Sequence, residues 1–274
     1  MRYHRYIPAP PLEEFVAVIW LFETAGGVHA KERVLPTGTV EIVINLREDV
    51  IRSYDPRDHS RFETLPGSIV AGTRSEFMII DTDVQESIMG IHFRPGGAAT
   101  LLGAPASEVH GIDLPLDAFW GSAAADLRGR LMEARTIEER FRITELTLLG
   151  RLAGKGSRHP AVAGALRELA VVPQGRTLAE VTEDLGLSQR RFIELFRQQV
   201  GMTPKLYYRI RRFQEALRRI QRGRDIVWTD LALGCGYYDQ AHFIRDFRAF
   251  SGINPSAYLA GRGEHRNHVP LLDP

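Results

Sequence analysis

Cysteine occurs only once among the 274 residues, at Cys235, which excludes an internal disulfide framework and any zinc site built from several cysteines. Long apolar runs are absent as well, because the longest one, Phe15–Phe22, is far too short to cross a bilayer. Residues Met1–Pro11 contain two arginines and three prolines instead of the apolar stretch of a signal peptide. We therefore expect a cytoplasmic protein without a membrane partner.

Lysine is also scarce, since only three of the 35 basic residues are lysines. Residues 1–154 contain 16 basic and 22 acidic side chains, whereas residues 155–266 contain 19 basic and 11 acidic ones. The second half is thus rich in guanidinium groups, which bind phosphate oxygens and guanine edges in a forked geometry. This asymmetry is typical of a sensor joined to a nucleic-acid-binding unit. An arginine-biased genome would give the same counts, so charge alone leaves both interpretations open.

The first half of the chain alternates between short apolar runs and turn formers such as Pro66-Gly67. Val, Ile and aromatic residues dominate runs of strand length, and no long helix separates them, which predicts an antiparallel β-barrel or sandwich. The predicted strands are Phe15–Phe22, Thr39–Leu46, Ser68–Ala71, Phe77–Asp81 and Ser87–Arg94.

Two helices are predicted to flank these strands, Ala123–Glu133 and Ile137–Leu152. The second helix carries an apolar stripe that Thr144 and Glu145 interrupt. Such a stripe can pack against the barrel of its own chain or against a second copy, and the sequence leaves both possibilities open.

With 44% hydrophobic and 25% charged residues, the chain has the composition of a globular protein and the length for two domains. We divide it into a β-rich sensor or dimerisation domain with trailing helices (1–153), a linker (154–160), a helical domain (161–262) and a loose tail (263–274). The predicted fold class is therefore α+β, with an N-terminal antiparallel barrel or sandwich ahead of an all-α C-terminal domain.

The C-terminal half contains an internal repeat. Each copy comprises a short helix, a turn with glycine, a second helix and a Gly-x-x-Pro segment, in which Thr203 or Asn254 is placed to cap the next helix. When the sequence is shifted by 51 positions, identical residues coincide, namely Phe192, Ile193, Phe196, Arg197, Gly201, Pro204 and Tyr207 with Phe243, Ile244, Phe247, Arg248, Gly252, Pro255 and Tyr258.

A helix, a tight turn and a second helix form the geometry that presents the second helix to the major groove of DNA. Arg can pair with guanine, Gln with adenine and Glu with the cytosine amino group, while Ala or Ile contacts the thymine methyl. The predicted base-contacting residues are Arg190, Ile193, Glu194, Gln240, Ala241, Ile244 and Arg245, and the predicted phosphate-contacting residues are Arg191, Arg197 and Arg248. The alternative is an ordinary helical bundle with a polar face. Two copies in register within the basic half of the chain argue against it.

The two copies, and above all Ile226–Leu259, resemble the tandem helix-turn-helix domain of AraC/XylS-type transcription regulators. The resemblance covers Thr177–Leu259 and rests on the signature Gly-Tyr-Tyr-Asp-Gln-Ala-His-Phe, followed by Phe-Arg, Gly, Pro and Tyr. It implies a seven-helix DNA-binding domain in which Pro204–Arg222 joins two subdomains. The recognition helices, Ser188–Val200 and Asp239–Phe250, would then enter successive major grooves about 34 Å apart.

The first copy departs from the family pattern at two positions. Thr182 stands where a small Ala is usual, and Arg190 stands where an aromatic or polar residue is common. The change at Arg190 can alter which bases are read, and the contribution of the first helix to base contacts stays open. The N-terminal half resembles, more loosely, the small cupin-like sensor domains found ahead of such modules, through its segments PTGTVEIVINL and HFRPGGA.

The strand and strand-end residues with the chemistry to line an effector pocket are Trp20, Phe22, Glu41, His92 and Arg94. Alternation places Trp20 and Phe22 on one strand face without showing whether that face is interior. A metal-dependent cupin-like enzyme would need two His and a carboxylate on one metal. The five His of the first 154 residues include no His-x-His pair. We therefore expect no catalytic residues, no metal and no cofactor.

These observations favour a sequence-specific DNA-binding transcription regulator rather than an enzyme. Its predicted partners are double-stranded DNA, a small-molecule effector bound by the N-terminal domain, and a second copy of the chain. The alternative is a metal-dependent cupin-like enzyme fused to a DNA-binding module.

Overall fold

A computed structural model of the chain shows two antiparallel β-sheets followed by a set of helices, which confirms the α+β class. Within the residues it describes, no helix has both the length and the apolar character needed to span a membrane. The described residues are 2–24, 31–81, 86–154, 156, 158–172, 180, 183, 186–223, 225–263 and 265–271.

The strands form an open sandwich rather than a closed barrel. One sheet has the order β1-β2-β9-β4-β7-β10 and the other the order β11-β3-β8-β5-β6. All five predicted strands are present, as β2, β4, β7, β8 and β9, and the others were not predicted. The strands are β1 (Arg2–Tyr6), β2 (Val16–Glu23), β3 (Lys31–Val34), β4 (Glu41–Asn45), β5 (Ile51–Tyr54), β6 (Phe62–Leu65), β7 (Ser68–Ala71), β8 (Met78–Asp81), β9 (Ser87–Phe93), β10 (Asp113–Pro115) and β11 (His268–Pro270).

The helices follow the strands in the chain and have clear local causes. Side chains that accept a hydrogen bond from the first turn cap α4, α6, α7, α9 and α10, and proline opens α7 and α10. The helices are α1 (Ala98–Leu102), α2 (Asp117–Trp120), α3 (Ser122–Glu133), α4 (Ile137–Leu152), α5 (Pro160–Ala170), α6 (Gln189–Val200), α7 (Pro204–Arg222), α8 (Trp228–Gly234), α9 (Gln240–Ser251) and α10 (Pro255–Gly261), with short 3-10 helices at Leu12–Glu14 and Ala106–Val109.

One face of the six-stranded sheet packs against α1, α3 and α4. Leu21 and Met89 share a core with Leu131 and Leu148 of these helices. Thr144, which interrupts the apolar stripe of α4 in the sequence, is fully buried in this interface. Its hydroxyl donates to the Arg140 carbonyl oxygen at 2.9 Å, so the polar group is satisfied within the helix.

The opposite face of the same sheet points toward the second sheet. Val43 on this face packs against Ile51 and Leu65 of the five-stranded sheet. Trp20 lies in register with Gly90, which in turn lies in register with Val43. Because directly paired residues project to the same side of a sheet, Trp20 also faces the space between the sheets.

The end of the chain differs from the loose tail that we expected. Residues 268–270 form β11, which pairs antiparallel with β3 at the edge of the five-stranded sheet. This strand has only one buried apolar side chain, Val269, so its sequence does not show the alternation of a predictable strand. Main-chain pairing with a distant edge holds it in place.

The helices α5–α10, which we call the C-terminal helical unit, share one apolar core that also includes Leu35 and Val269. Cys235 is buried within this core, and burial raises the pKa of its thiol to about 11. Strands β1–β10 with α1–α4, which we call the N-terminal sandwich, therefore pack directly against the helical unit.

Close packing at Gly90 gives a test of this architecture. A Cβ atom at Gly90 would lie 2.0 Å from Cε2 of Trp20 and 2.4 Å from its Nε1. We expect Gly90→Ala to lower the free energy of unfolding by about 1–3 kcal/mol, because the indole would have to move. Chemical denaturation measures this change.

Gly129→Ala is the matched control. Gly129 lies within α3, and a Cβ there would meet nothing within 4 Å. We expect this change to raise stability by about 0.5–1 kcal/mol, because alanine favours a helix interior over glycine. Equal stability of both variants would contradict the position of Trp20 over Gly90.

Candidate nucleic-acid interface

Helix α6 is the first predicted recognition helix, and its two faces differ as the sequence repeat requires. Ser188 caps it by accepting a hydrogen bond from the Arg191 main-chain N–H at 3.3 Å. The side chains of Phe192, Phe196 and Val200 form its buried stripe. The predicted contact residues lie on the other side, where Ile193 is half-buried and Arg190, Arg191, Glu194 and Arg197 are exposed.

The helix that the repeat predicts ahead of α6 lies largely outside the described residues. Thr182, where the sequence departs from the family pattern, belongs to that part of the chain. Gly186, in the turn that leads to α6, has φ +61°, a conformation that glycine adopts without strain. The structure therefore describes the turn and the recognition helix of the first copy.

Helices α8 and α9 form the second copy, joined by a turn in which Gly236 has φ +75°. Asp239 caps α9 by accepting a hydrogen bond from the His242 main-chain N–H at 2.7 Å. Phe243, Phe247 and Phe250 of α9 are buried. The predicted contact residues again lie on the outer side, where Ala241, Arg245 and Arg248 are exposed and Gln240 and Ile244 are half-buried.

A groove runs beside the outer face of α9. Its volume is about 200 Å³, and α8, α9 and the start of α10 each contribute side chains to it. Gln240 is held at its edge, because its Oε1 accepts a hydrogen bond from the Thr229 hydroxyl at 3.2 Å. The lining residues are Trp228, Gln240, Ile244, Arg248, Asn254, Pro255 and Ser256.

Ion pairs fix α9 against the long helix α7. The carboxylate of Asp246 is 4% exposed, although it lies on a predicted recognition helix. It accepts a hydrogen bond from Arg209 Nη2 at 2.7 Å and another from Arg212 Nη2 at 3.3 Å. The hydrogen bond that Arg209 donates to Asp246 raises the pKa of Arg209. Two arginines of α7 thus hold a single acid of α9, which ties the two helices together.

Within the N-terminal sandwich, three of the predicted pocket residues meet between the sheets. The indole Nε1 of Trp20 donates to Glu41 Oε1 at 2.6 Å, and Nδ1 of His92 lies 3.8 Å from the same oxygen. Burial raises the pKa of Glu41, but the interactions with His92 and Trp20 outweigh it and leave the pKa below its ordinary value. We call Trp20, Glu41 and His92 the inter-sheet cluster.

The two other predicted pocket residues lie further along the chain, two residues beyond Trp20 and two beyond His92. Strand β9 ends at Phe93, and the Arg94 side chain turns away to donate from Nε to the Glu13 carbonyl oxygen at 2.6 Å. Phe22 lies two residues beyond Trp20 on β2 and is half-buried. Among the described residues, no group of three or more His, Cys, Asp or Glu side chains is placed to hold a metal ion.

Comparison with known families gives two matches. A family described as "Helix-turn-helix domain" matches residues 181–261. A family described as "Domain of unknown function (DUF6597)" matches residues 4–115.

Individual relatives agree with the first match. The HTH-type transcriptional activator AarP of Providencia stuartii is 32% identical over 99 residues, which cover 36% of this chain and 71% of AarP. The chain belongs to the AraC/XylS-type transcription regulators. The arabinose operon regulatory protein of Escherichia coli (strain K12) is 28% identical over 160 residues, 54% of each chain. The chain thus spans about half the length of that relative.

Among solved structures, ToxT from Vibrio cholerae aligns over 88% of this chain and 97% of its own at 10% identity, with a TM-score of 0.46.

The residue of this AraC/XylS-type regulator that sequence reasoning missed is Asp246. The sequence contains a sign of its role, because this acidic residue stands between Phe243 and Phe247 on the stripe that the repeat predicts to be buried. A charged residue at such a position requires a partner of opposite charge.

Removing the Asp246 charge tests whether these ion pairs hold the regulator together. We expect Asp246→Asn to lower the free energy of unfolding by about 3 kcal/mol, because the largely buried Arg212 would lose its counter-charge. Urea denaturation measures this loss. The control is Asp225→Asn, which removes an exposed carboxylate before α8. If both variants unfolded alike, the Asp246 pairs would not stabilise the domain.

A second ion pair on α7 predicts a dependence on pH. The hydrogen bond from Arg218 lowers the pKa of Glu215 most, and with that from Arg219 brings it to about 2. Its stabilisation is therefore complete above the unfolded pKa near 4.5 and is lost as the pH falls toward 2. We expect the Tm of Glu215→Gln to lie below that of the native protein at pH 6, and the difference to shrink between pH 4.5 and 3. A difference that grew on acidification would contradict the pair.

Proposed function

We propose that this regulator binds one site on double-stranded DNA in a sequence-specific manner, with α6 and α9 in successive major grooves. The observation that carries the proposal is the repeat itself, since both copies present an outer face with exposed arginines on a helix whose other face is a phenylalanine core. The single helix α7 follows the first copy directly and is joined to the second by the Asp246 ion pairs.

The contacts divide into two kinds. Arg190, Glu194, Gln240 and Arg245 carry the groups that discriminate base edges, and Ile193, Ala241 and Ile244 add apolar contacts. Arg191, Arg197 and Arg248 bind phosphates and supply affinity that does not depend on sequence. Entry of both helices into one face of the duplex requires a separation of about 34 Å, one turn of B-form DNA.

We extend the proposal to control by a small molecule bound in the N-terminal sandwich. The inter-sheet cluster supports this extension, because it places a carboxylate, an imidazole and an indole N–H in the space between two sheets. A ligand that binds one arrangement of the two units better than another shifts the population toward that arrangement. We keep the predicted units, residues 1–153 and 161–262; α4 ends at Leu152, and α5 begins at Pro160, the last residue of the predicted linker. A second copy of the chain as a partner stays a prediction.

Selection of bound duplexes from random DNA with the full chain tests the proposal. We expect one asymmetric sequence with two conserved blocks about one helical turn apart, and a footprint of about two turns. Recovery of unrelated sequences with equal affinity would show a binder without sequence preference. Absence of any retained DNA would contradict the proposed function altogether.

Substitution of Arg245 and Arg248 separates base recognition from phosphate binding. We expect Arg245→Ala to relax the preference at one base pair by about 1–3 kcal/mol. We expect Arg248→Ala to weaken binding to all sequences alike. The dependence of the binding constant on salt concentration should fall by the amount that corresponds to about one phosphate contact. Titrations against the selected duplex and its single-base variants measure both.

The control for this pair is Arg142→Ala, which removes an exposed arginine from α4 in the N-terminal sandwich. It should leave both affinity and specificity unchanged. If Arg245→Ala weakened binding to every sequence equally, its assignment to base recognition would be wrong.

A further inference from the structure

The end of the chain passes from the helical unit onto the edge of the N-terminal sandwich. We call residues 265–271 the strap. The Leu35 main-chain N–H donates to the Asn267 carbonyl oxygen, and the Leu271 N–H donates to that of Lys31, both at 2.8 Å. Between these bonds β11 pairs with β3, so the strap is a regular edge strand of the five-stranded sheet.

The other side of the strap is attached to the helical unit. The Tyr258 hydroxyl of α10 donates to the Arg266 carbonyl oxygen at 2.7 Å. Nε2 of Gln214, on α7, donates to Asn267 Oδ1 at 2.9 Å and to the Pro36 carbonyl oxygen of the sandwich at 2.8 Å. Val269 is 3% exposed and belongs to the apolar core of the helices. The strap thus joins the second helix-turn-helix copy to the sandwich.

Two strap histidines approach the residues that surround the inter-sheet cluster. Nδ1 of His268 lies 2.9 Å from Glu32 Oε2 of β3. The His265 ring lies 5.3 Å from the ring of Tyr3, which stacks on Trp20 at 6.0 Å. Because Trp20 donates to Glu41, a continuous series of contacts links the strap to the inter-sheet cluster.

The sandwich also holds the first copy, by a separate contact. A Cβ atom at Gly201, which ends α6, would lie 2.7 Å from the Thr73 hydroxyl oxygen and 3.0 Å from the Ala106 carbonyl oxygen. Gly252, the equivalent residue after α9, lies as closely against Phe77 of the sandwich. Each helix-turn-helix copy is therefore seated on the sandwich at the glycine that follows its recognition helix.

We propose that the strap sets the spacing between α6 and α9 by clamping the second copy to the sandwich, and that a ligand at the inter-sheet cluster acts on DNA binding by displacing it. This inference rests on the proposed function and concerns its regulation. The docked strap leaves the predicted contact residues on the outer faces of α6 and α9. It therefore preorganises the DNA-binding arrangement, and its release lowers affinity because the spacing is then less well defined.

A reversible cross-link tests the strap directly in the full chain. Leu35 with Asn267, and Leu271 with Lys31, form the hydrogen-bonded positions of the ladder, so Val34 and His268 form a non-hydrogen-bonded pair. Such pairs bring Cα atoms to about 4.5 Å, which suits a disulfide. Val34→Cys combined with His268→Cys therefore locks the strap under oxidising conditions and frees it on reduction. Each single substitution is a control that cannot cross-link within one chain.

The readout is the dissociation constant for the selected duplex and for duplexes with one or two base pairs inserted between its blocks. We expect the oxidised double variant to bind the selected duplex as tightly as the native protein and to reject the insertions more strongly. We expect reduction to weaken binding to the selected duplex about fivefold or more. Reduction should also make the dissociation constants for the selected duplex and for the duplexes with insertions more alike. Identical affinities in both redox states would overturn the proposal.

A release variant provides an independent measurement. Val269→Asp places a charge in the apolar core and should free the strap, with the same loss of affinity and of spacing preference as reduction of the lock. Pro270→Ala, at an exposed position of β11, is its control and should bind as the native protein does. Native-like binding by Val269→Asp, with a folded helical unit by circular dichroism, would contradict the clamp.

The link to the inter-sheet cluster is measured without DNA. Acrylamide quenching of tryptophan fluorescence should be weaker in the oxidised double variant than in the reduced one, because the docked strap protects Trp20. Equal quenching in the oxidised and reduced protein would show that the strap is not linked to the inter-sheet cluster. If the native protein selected no DNA sequence at all, the proposed function would fail. If the native protein selected a sequence but neither the disulfide nor Val269→Asp changed its affinity, only the proposal about the strap would be overturned.

Discussion

The arrangement of the helical unit depends on the carboxylate of Asp246, held between two arginines of α7. Apolar packing alone is not directional, so the phenylalanine stripe of α9 does not by itself determine how the helix is rotated about α7. The two hydrogen-bonded arginines do, because Arg209 donates to both oxygens of the carboxylate and Arg212 donates to one of them. Once α9 is oriented in this way, its arginine-bearing face points outward, and the proposed function follows from that direction.

The parts of the fold that could be predicted are those with local causes. The range of α7 follows from its cap at Thr203, its first-turn Pro204 and the glycine after Arg222. Strand β9 follows from its apolar run. By contrast, β1 is short and mostly exposed and β11 has three residues of which only Val269 is buried, so both strands exist because another strand pairs with them. Pairing of this kind leaves no pattern in the sequence of the strand itself.

The candidate sites divide in the same way. Helical periodicity placed the predicted contact residues of α6 and α9 on faces that are exposed or half-buried, because a period of 3.6 assigns every residue to a face, but it did not identify the buried Asp246. Alternation in β2 grouped Trp20 with Phe22, but only the second sheet shows that this face is interior. The separation of Arg94 from His92 depends on where β9 ends, which the turn after Phe93 decides.

The N-terminal sandwich contacts both helix-turn-helix copies. A small change in the sandwich can therefore alter the distance between α6 and α9. The most direct test of this arrangement is the affinity for a duplex with five base pairs inserted between the two recognised blocks, about half a turn of DNA. Two helices held on one face of the duplex predict a fall to the affinity of a single block. Unchanged affinity would show that α6 and α9 do not read DNA together.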